Sequence, residues 1–192
     1  MKSSLTTRIL HAALAIAIVH ELVVSLFMER PKPGGHPENL AFELHETVGL
    51  ISLGLLGAFW LWAMLRRREE GLGALFPWFS TERRDRVLAD IRNHGHSLVR
   101  LRLPSPEART PLASAVHGLG LLVATAMAAT GAIVYAVMGA DGSLSGGGRL
   151  VLEFHEVLSN LMWAYLIGHA GIAIIHDIAG HRVLGRMFLG QE

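Results

Sequence analysis

Residues 150–176 read LVLEFHEVLSNLMWAYLIGHAGIAIIH, and the architecture of the chain can be worked outward from this stretch. Residues 157–174 hold no Asp, Glu, Lys or Arg, and their one histidine is His169. A segment of that length crosses roughly 30 Å of hydrocarbon at about 1.5 Å per residue of helix. His155 and His169 are fourteen residues apart. At about 100° per residue they fall within roughly 40° of each other and about 21 Å apart along the axis. One membrane-crossing helix thus carries an imidazole near each surface on a single face. His155 sits five residues inside Leu150, and His169 eight residues before Asp177. Met162 and His176 continue the stripe at seven-residue spacing.

Three more segments share this apolar character. Residues 9–28 are nearly all apolar, interrupted by His11, His20 and Glu21. Residues 47–65 carry no charge, and 111–140 contain only His117 as a titratable imidazole. With 51% hydrophobic and 17% charged residues, the chain is too apolar and too unevenly patterned for an ordinary soluble domain. The expected fold is all-α: an integral membrane four-helix bundle with helices near 7–28, 41–65, 111–138 and 151–178, forming one domain over 1–192. No alternating strand pattern suggests a barrel, so helices satisfy the backbone in lipid. The first run is too long for a signal peptide and ends in Met28-Glu29-Arg30 rather than a small-residue cleavage site.

Basic residues set the expected topology. Fourteen of the 17 Lys and Arg residues fall on one side: Lys2 and Arg8, ten arginines between Arg66 and Arg109, and Arg182 with Arg186. Arg30, Lys32 and Arg149 fall on the other. The positive-inside rule places both termini and the middle loop in the cytoplasm. The two outward connections are turn-rich: Pro31, Pro33, Gly34, Gly35 and Pro37 in one, Gly146-Gly147-Gly148 in the other. The cytoplasmic loop, 66–110, contains Ser80-Thr81-Glu82, which can cap a short amphipathic helix to about His94 with Val87, Leu88 and Ile91 on one face. Trp78 and Phe79 suit a membrane interface. The loop reads as a basic surface helix resting on lipid headgroups or as a docking site for a soluble redox partner. A net charge of +1 gives no reason to expect a nucleic-acid partner.

The chain has no cysteine, which excludes disulfides, cysteine-ligated iron–sulfur clusters and covalently attached c-type haem. Eleven histidines remain as the main metal-ligand inventory. With the helices oriented as above, His45 lies five residues inside Leu40, at the depth of His155. His11, just past Arg8, lies near the depth of His169. Two facing pairs result, His45 with His155 outside and His11 with His169 inside. A haem needs one imidazole on each face, and bundle cores are a usual place for such sites. Zinc would need three or four ligands in one cluster, which pairs so far apart do not supply. The outer pair repeats the pattern Glu-x-His-Glu, at Glu43-Leu44-His45-Glu46 and Glu153-Phe154-His155-Glu156. The glutamates favour a helix N-terminus; the histidine in the middle of both is unexplained by that. Gly49, Gly168 and Gly171 let a flat ring or another helix approach.

These residues resemble the bacterial di-haem cytochrome b561 family, within the larger group of hydrogenase and formate dehydrogenase cytochrome b subunits. The resemblance covers most of the chain. It is most specific in 153–170, EFHEVLSNLMWAYLIGHA, and in Leu184-Gly185-Arg186-Met187-Phe188; Thr130-Gly131 also fits. It implies two haem b groups, the cytoplasmic-side one ligated by His11 and His169 and the periplasmic-side one by His45 and His155. It further implies electron transfer between a donor and membrane quinone, in the bacterial inner membrane. One branch looks like a superoxide-to-quinone oxidoreductase. The long loop with Pro77-Trp78-Phe79 looks more like the dehydrogenase-anchoring subunits, so a membrane-anchor subunit of a larger dehydrogenase or hydrogenase complex is the alternative.

His117, near the depth of His169, is expected to contact a haem propionate or a quinone. His20 faces away from the His11 face, and with Glu21 it reads either as a structural pair or as a proton-handling, quinone-contacting pair. A second function class stays open: a haem-free proton or ion transporter built on intramembrane His and Glu residues. A dithionite-reduced spectrum separates the two classes.

Overall fold

The computed structural model describes residues 4–29, 39–66, 71–100 and 110–189. The Pro- and Gly-rich turn at 31–37, together with Lys2, Arg30, Lys32, Arg67, Arg68, Arg102 and Arg109, lies outside the described residues. The described residues are mostly helical, joined by turns, and contain no strand. Four helices are long and apolar enough to cross a membrane: α1 Leu5–Val24, α2 Leu40–Leu65, α5 Pro111–Val137 and α6 Gly146–His176. Between α2 and α5 lie the single turn α3 Leu72–Leu75, a 3₁₀ turn Pro77–Phe79 and α4 Thr81–Val99. After α6 come two π-helical turns, Asp177–His181 and Gly185–Leu189; the backbone is left-handed at Gly180 (φ 88°) inside the first and at Arg182 (φ 48°) just after it.

Local chemistry explains where these helices begin and end. Asn39 caps α2: its Oδ1 accepts from the Phe42 N–H at 3.0 Å. The same side chain accepts from Glu29 N–H at 3.0 Å and donates to the Phe27 carbonyl at 2.8 Å, tying the end of α1 to the start of α2. The α-helical part of α1 closes at Val24, where Ser25 turns its hydroxyl onto the Leu22 carbonyl at 2.9 Å. Thr110 and Pro111 open α5, with Thr110 Oγ1 accepting from Ala113 N–H at 3.1 Å. Asp90 on α4 accepts from the Leu112 N–H at 3.0 Å, fixing α4 to that helix start.

Packing divides the chain into two units. One comprises Leu10–Phe59 and Leu122–Ala164; the other Met1–Ile9, Trp60–Leu121 and Tyr165–Glu192. The first buries Leu14, Leu22, Phe42, Leu56, Val134 and Met162. The second buries Ala63, Leu75, Val87, Ala115 and Leu121, with Pro77 fully enclosed. Here Gly118 meets the Leu75 carbonyl so closely that a Cβ would overlap it. Large apolar side chains such as Ile16, Phe154 and Ile167 remain more than 65% exposed. On helices of this length such an outward apolar surface is what hydrocarbon stabilises and water does not. On α4 Val87 is buried while Leu88 and Ile91 stay exposed, as does Phe79 before it.

Candidate functional site

Within the unit formed by Leu10–Phe59 and Leu122–Ala164, four helices each contribute to one polar cluster. His45 on α2 and His155 on α6 stand with ring centroids 6.2 Å apart and ring planes at 81°. Thr130 on α5 places its Oγ1 3.0 Å from His155 Nδ1. Glu21 on α1 places Oε2 2.9 Å from His45 Nδ1. That contact is within charge-pairing distance but off the line of an N–H hydrogen bond, since the buried Nδ1 has no aligned partner. His20 lies beside Glu21, its Nδ1 3.4 Å from Oε1.

The Thr130 hydroxyl also reaches backbone carbonyls, Ala126 at 2.7 Å and Met127 at 3.0 Å. With its hydrogen given to a carbonyl, the hydroxyl accepts from His155 Nδ1, which leaves the His155 Nε2 lone pair, the form in which imidazole binds a metal. Glu21 stands behind the His45 ring in charge-pairing contact only. An apolar cavity lies against both rings, lined among others by Ile18, Leu50, Met127, Ala128 and Tyr135. Gly131 faces His155, where a Cβ would lie 3.1 Å from Cε1 and press on the ring.

The arrangement can be tested against a haem. An iron bound on both faces holds each imidazole nitrogen at about 2.0 Å, and a nitrogen lies about 1.1 Å from its ring centre, giving about 6.3 Å between ring centroids. The observed 6.2 Å meets that requirement. Two imidazoles at this spacing, apolar walls and a glycine at the ring edge fit such a group.

The other unit holds a different cluster. His169 stacks on Tyr165 with centroids 5.3 Å apart and planes at 9°. His117 meets His169 edge-on at 5.2 Å, about 1 Å too close for an iron between them. Gly120 opposes Tyr165 so closely that a Cβ would overlap its ring. His117 itself remains exposed. His11 is half-buried on α1 and belongs to the unit of His45 and His155.

Sequence reasoning singled out all of these histidines and Glu21, but missed Tyr165 and did not pair Thr130 or Glu21 with a histidine. Tyr165 could have been found, because it lies one turn before His169 on the same face. Thr130 was noted without a role. The approach of Glu21 to His45 joins two helices and leaves no local signal. The glutamates of the repeated Glu-x-His-Glu pattern are not equivalent: Glu46 is half-buried and lines the cavity, while Glu43, Glu153 and Glu156 are exposed.

Comparison with curated proteins and with solved structures finds no match. The family model for prokaryotic cytochrome b561 matches residues 2–190, and with four membrane-capable helices the chain belongs to this family of membrane-embedded, electron-transferring b-type cytochromes.

Proposed function

We propose that the protein is a di-haem b-type cytochrome that passes electrons between a donor and the quinone pool of the bacterial inner membrane, with both termini cytoplasmic. The observation that carries this reading is the 6.2 Å spacing of His45 and His155, each with its Nδ1 already faced by another group. In it His45 and His155 would hold the outer haem, and His11 and His169 the inner. A haem held by two histidines supplies one-electron redox chemistry and has no open position for oxygen. Thr130 fixes the orientation of His155, and the apolar cavity walls keep water from the ring edges. His117, exposed beside His169, and His20, beside Glu21, are the groups available to a propionate or a quinone. The one-sided distribution of Lys and Arg supports the orientation. Exposed Phe79, Leu88 and Ile91 beside Arg83, Arg84 and Arg86 support a seat for α4 on anionic headgroups.

A second reading, the membrane anchor of a dehydrogenase or hydrogenase, is favoured by the length of the α3–α4 segment. Deleting residues 78–94 should then abolish co-purification with a soluble redox partner while leaving the haems in place. For the main reading, the purified protein should contain two haem b per chain, reduced by dithionite and reoxidised by added quinone. A reduced spectrum without low-spin haem b bands would leave the intramembrane His and Glu residues to a proton or ion transporter instead.

A further inference from the structure

The two histidines of the outer pair are backed by unlike groups. Behind His155 stands a neutral hydroxyl, Thr130, at 3.0 Å. Behind His45 stands a carboxylate, Glu21, at 2.9 Å, on a different helix. Both members of the second contact are shielded, with 18% of the His45 side chain and 15% of the Glu21 side chain exposed. The cavity walls beside them are mostly apolar, with His20 at 3.4 Å from the other Glu21 oxygen and Glu46 in the lining as the polar exceptions, so the charge acts on the imidazole with less screening than in water. A site that only needed to orient His45 could use a hydroxyl, as the partner ring does. A carboxylate in a membrane-spanning helix is costly and calls for a specific partner. Room is kept for it: the nearest approach to Gly49 would leave a Cβ in ordinary contact, 3.4 Å from Oε2.

We infer that Glu21 is a positioning residue that holds the His45 ring and, through it, lowers the reduction potential of the outer haem. The inference rests on the reading of His45 and His155 as that haem's ligands. The negative charge of a carboxylate 2.9 Å from His45 Nδ1 acts through space and favours the more positively charged ferric iron over the ferrous. Thr130, being neutral, orients its ring without such a charge. The outer haem is thus poised by one side of its ligand pair.

The test is a potentiometric titration of the purified holoprotein, following the absorbance of each haem. Glu21→Gln keeps the side-chain shape and removes the charge. At a fixed ambient potential it should raise the reduced-to-oxidised ratio of the outer haem about tenfold, equivalent to about 59 mV for one electron, and leave the inner haem unmoved. Thr130→Val should shift the outer haem less. Glu21→Asp keeps the charge at a longer reach and should shift it less than Glu21→Gln. An unchanged outer potential in Glu21→Gln, or in Glu21→Ala where the amide variant loses the haem, overturns the inference. His45→Ala separates this from the underlying reading: if that variant keeps the outer haem, the ligand pair is wrong. If it loses the haem while the Glu21 variants titrate like the parent, the pair stands and Glu21 does not tune it.

Discussion

The His45–His155 cluster and the His117–His169 cluster use the same residue type in opposite ways. In the first, the rings are spaced at 6.2 Å, and groups on two further helices stand behind them. In the second, the rings touch edge-on at 5.2 Å, and a tyrosine lies flat against one of them. A pair spaced to admit a metal and a pair packed against itself differ by about 1 Å, within one bond length of a metal–imidazole contact. Histidine count and depth do not distinguish them. What distinguishes them is the ring spacing and whether a glycine or a tyrosine ring stands against the histidine.

The largest test of this contrast removes the imidazoles. His45→Ala or His155→Ala should lose one of two haems per chain and keep the other, measured as haem per protein on purified material. His11→Ala or His169→Ala should lose the complementary one. His117→Ala should keep both, because its ring is too close to His169 to share an iron with it. Loss of the inner haem from His117→Ala but not from His11→Ala would erase the contrast and exchange their roles.

A finer test loads the glycines. Gly131→Val puts branched carbons where a Cβ alone would already lie 3.1 Å from His155, so haem affinity at this pair should fall on the order of tenfold or more, read from haem retention during dilution. Gly49→Ala meets Glu21 at an ordinary 3.4 Å and should retain haem like the parent. Equal loss from both variants would mean that the close fit at Gly131 is not what orients His155. The smallest effect belongs to Asn39→Ala, which removes a helix cap and the tie to α1. It should cost about 1 kcal/mol in thermal unfolding in detergent, without a change in either haem spectrum. A spectral change at the outer haem would show that the α1–α2 connection also sets the Glu21–His45 contact.

How much of this was legible without the fold can be argued from particular residues. The four apolar runs identify spanning helices because lipid leaves the backbone no other partner than itself. The fourteen-residue interval of His155 and His169 follows from helix periodicity, and the depth of His45 from its distance to the end of its own run. Each of these depends on one helix at a time, and a rise of about 1.5 Å per residue converts numbering into depth. The approach of Glu21 to His45, of Thr130 to His155 and of His117 to His169 each joins two helices. Depth arithmetic leaves the rotation of one helix against another free, and a small rotation carries a side chain several ångströms around the axis. Glu21 could therefore be assigned to a membrane depth from numbering, while its place behind a histidine was not readable there. The sequence by itself determined the class of fold, the family resemblance and the inventory of imidazoles. Only the tertiary structure decided which groups stand behind His45 and His155 and which pair has the spacing of a metal site, because those are distances between helices, set by side-chain packing rather than by any one helix's repeat.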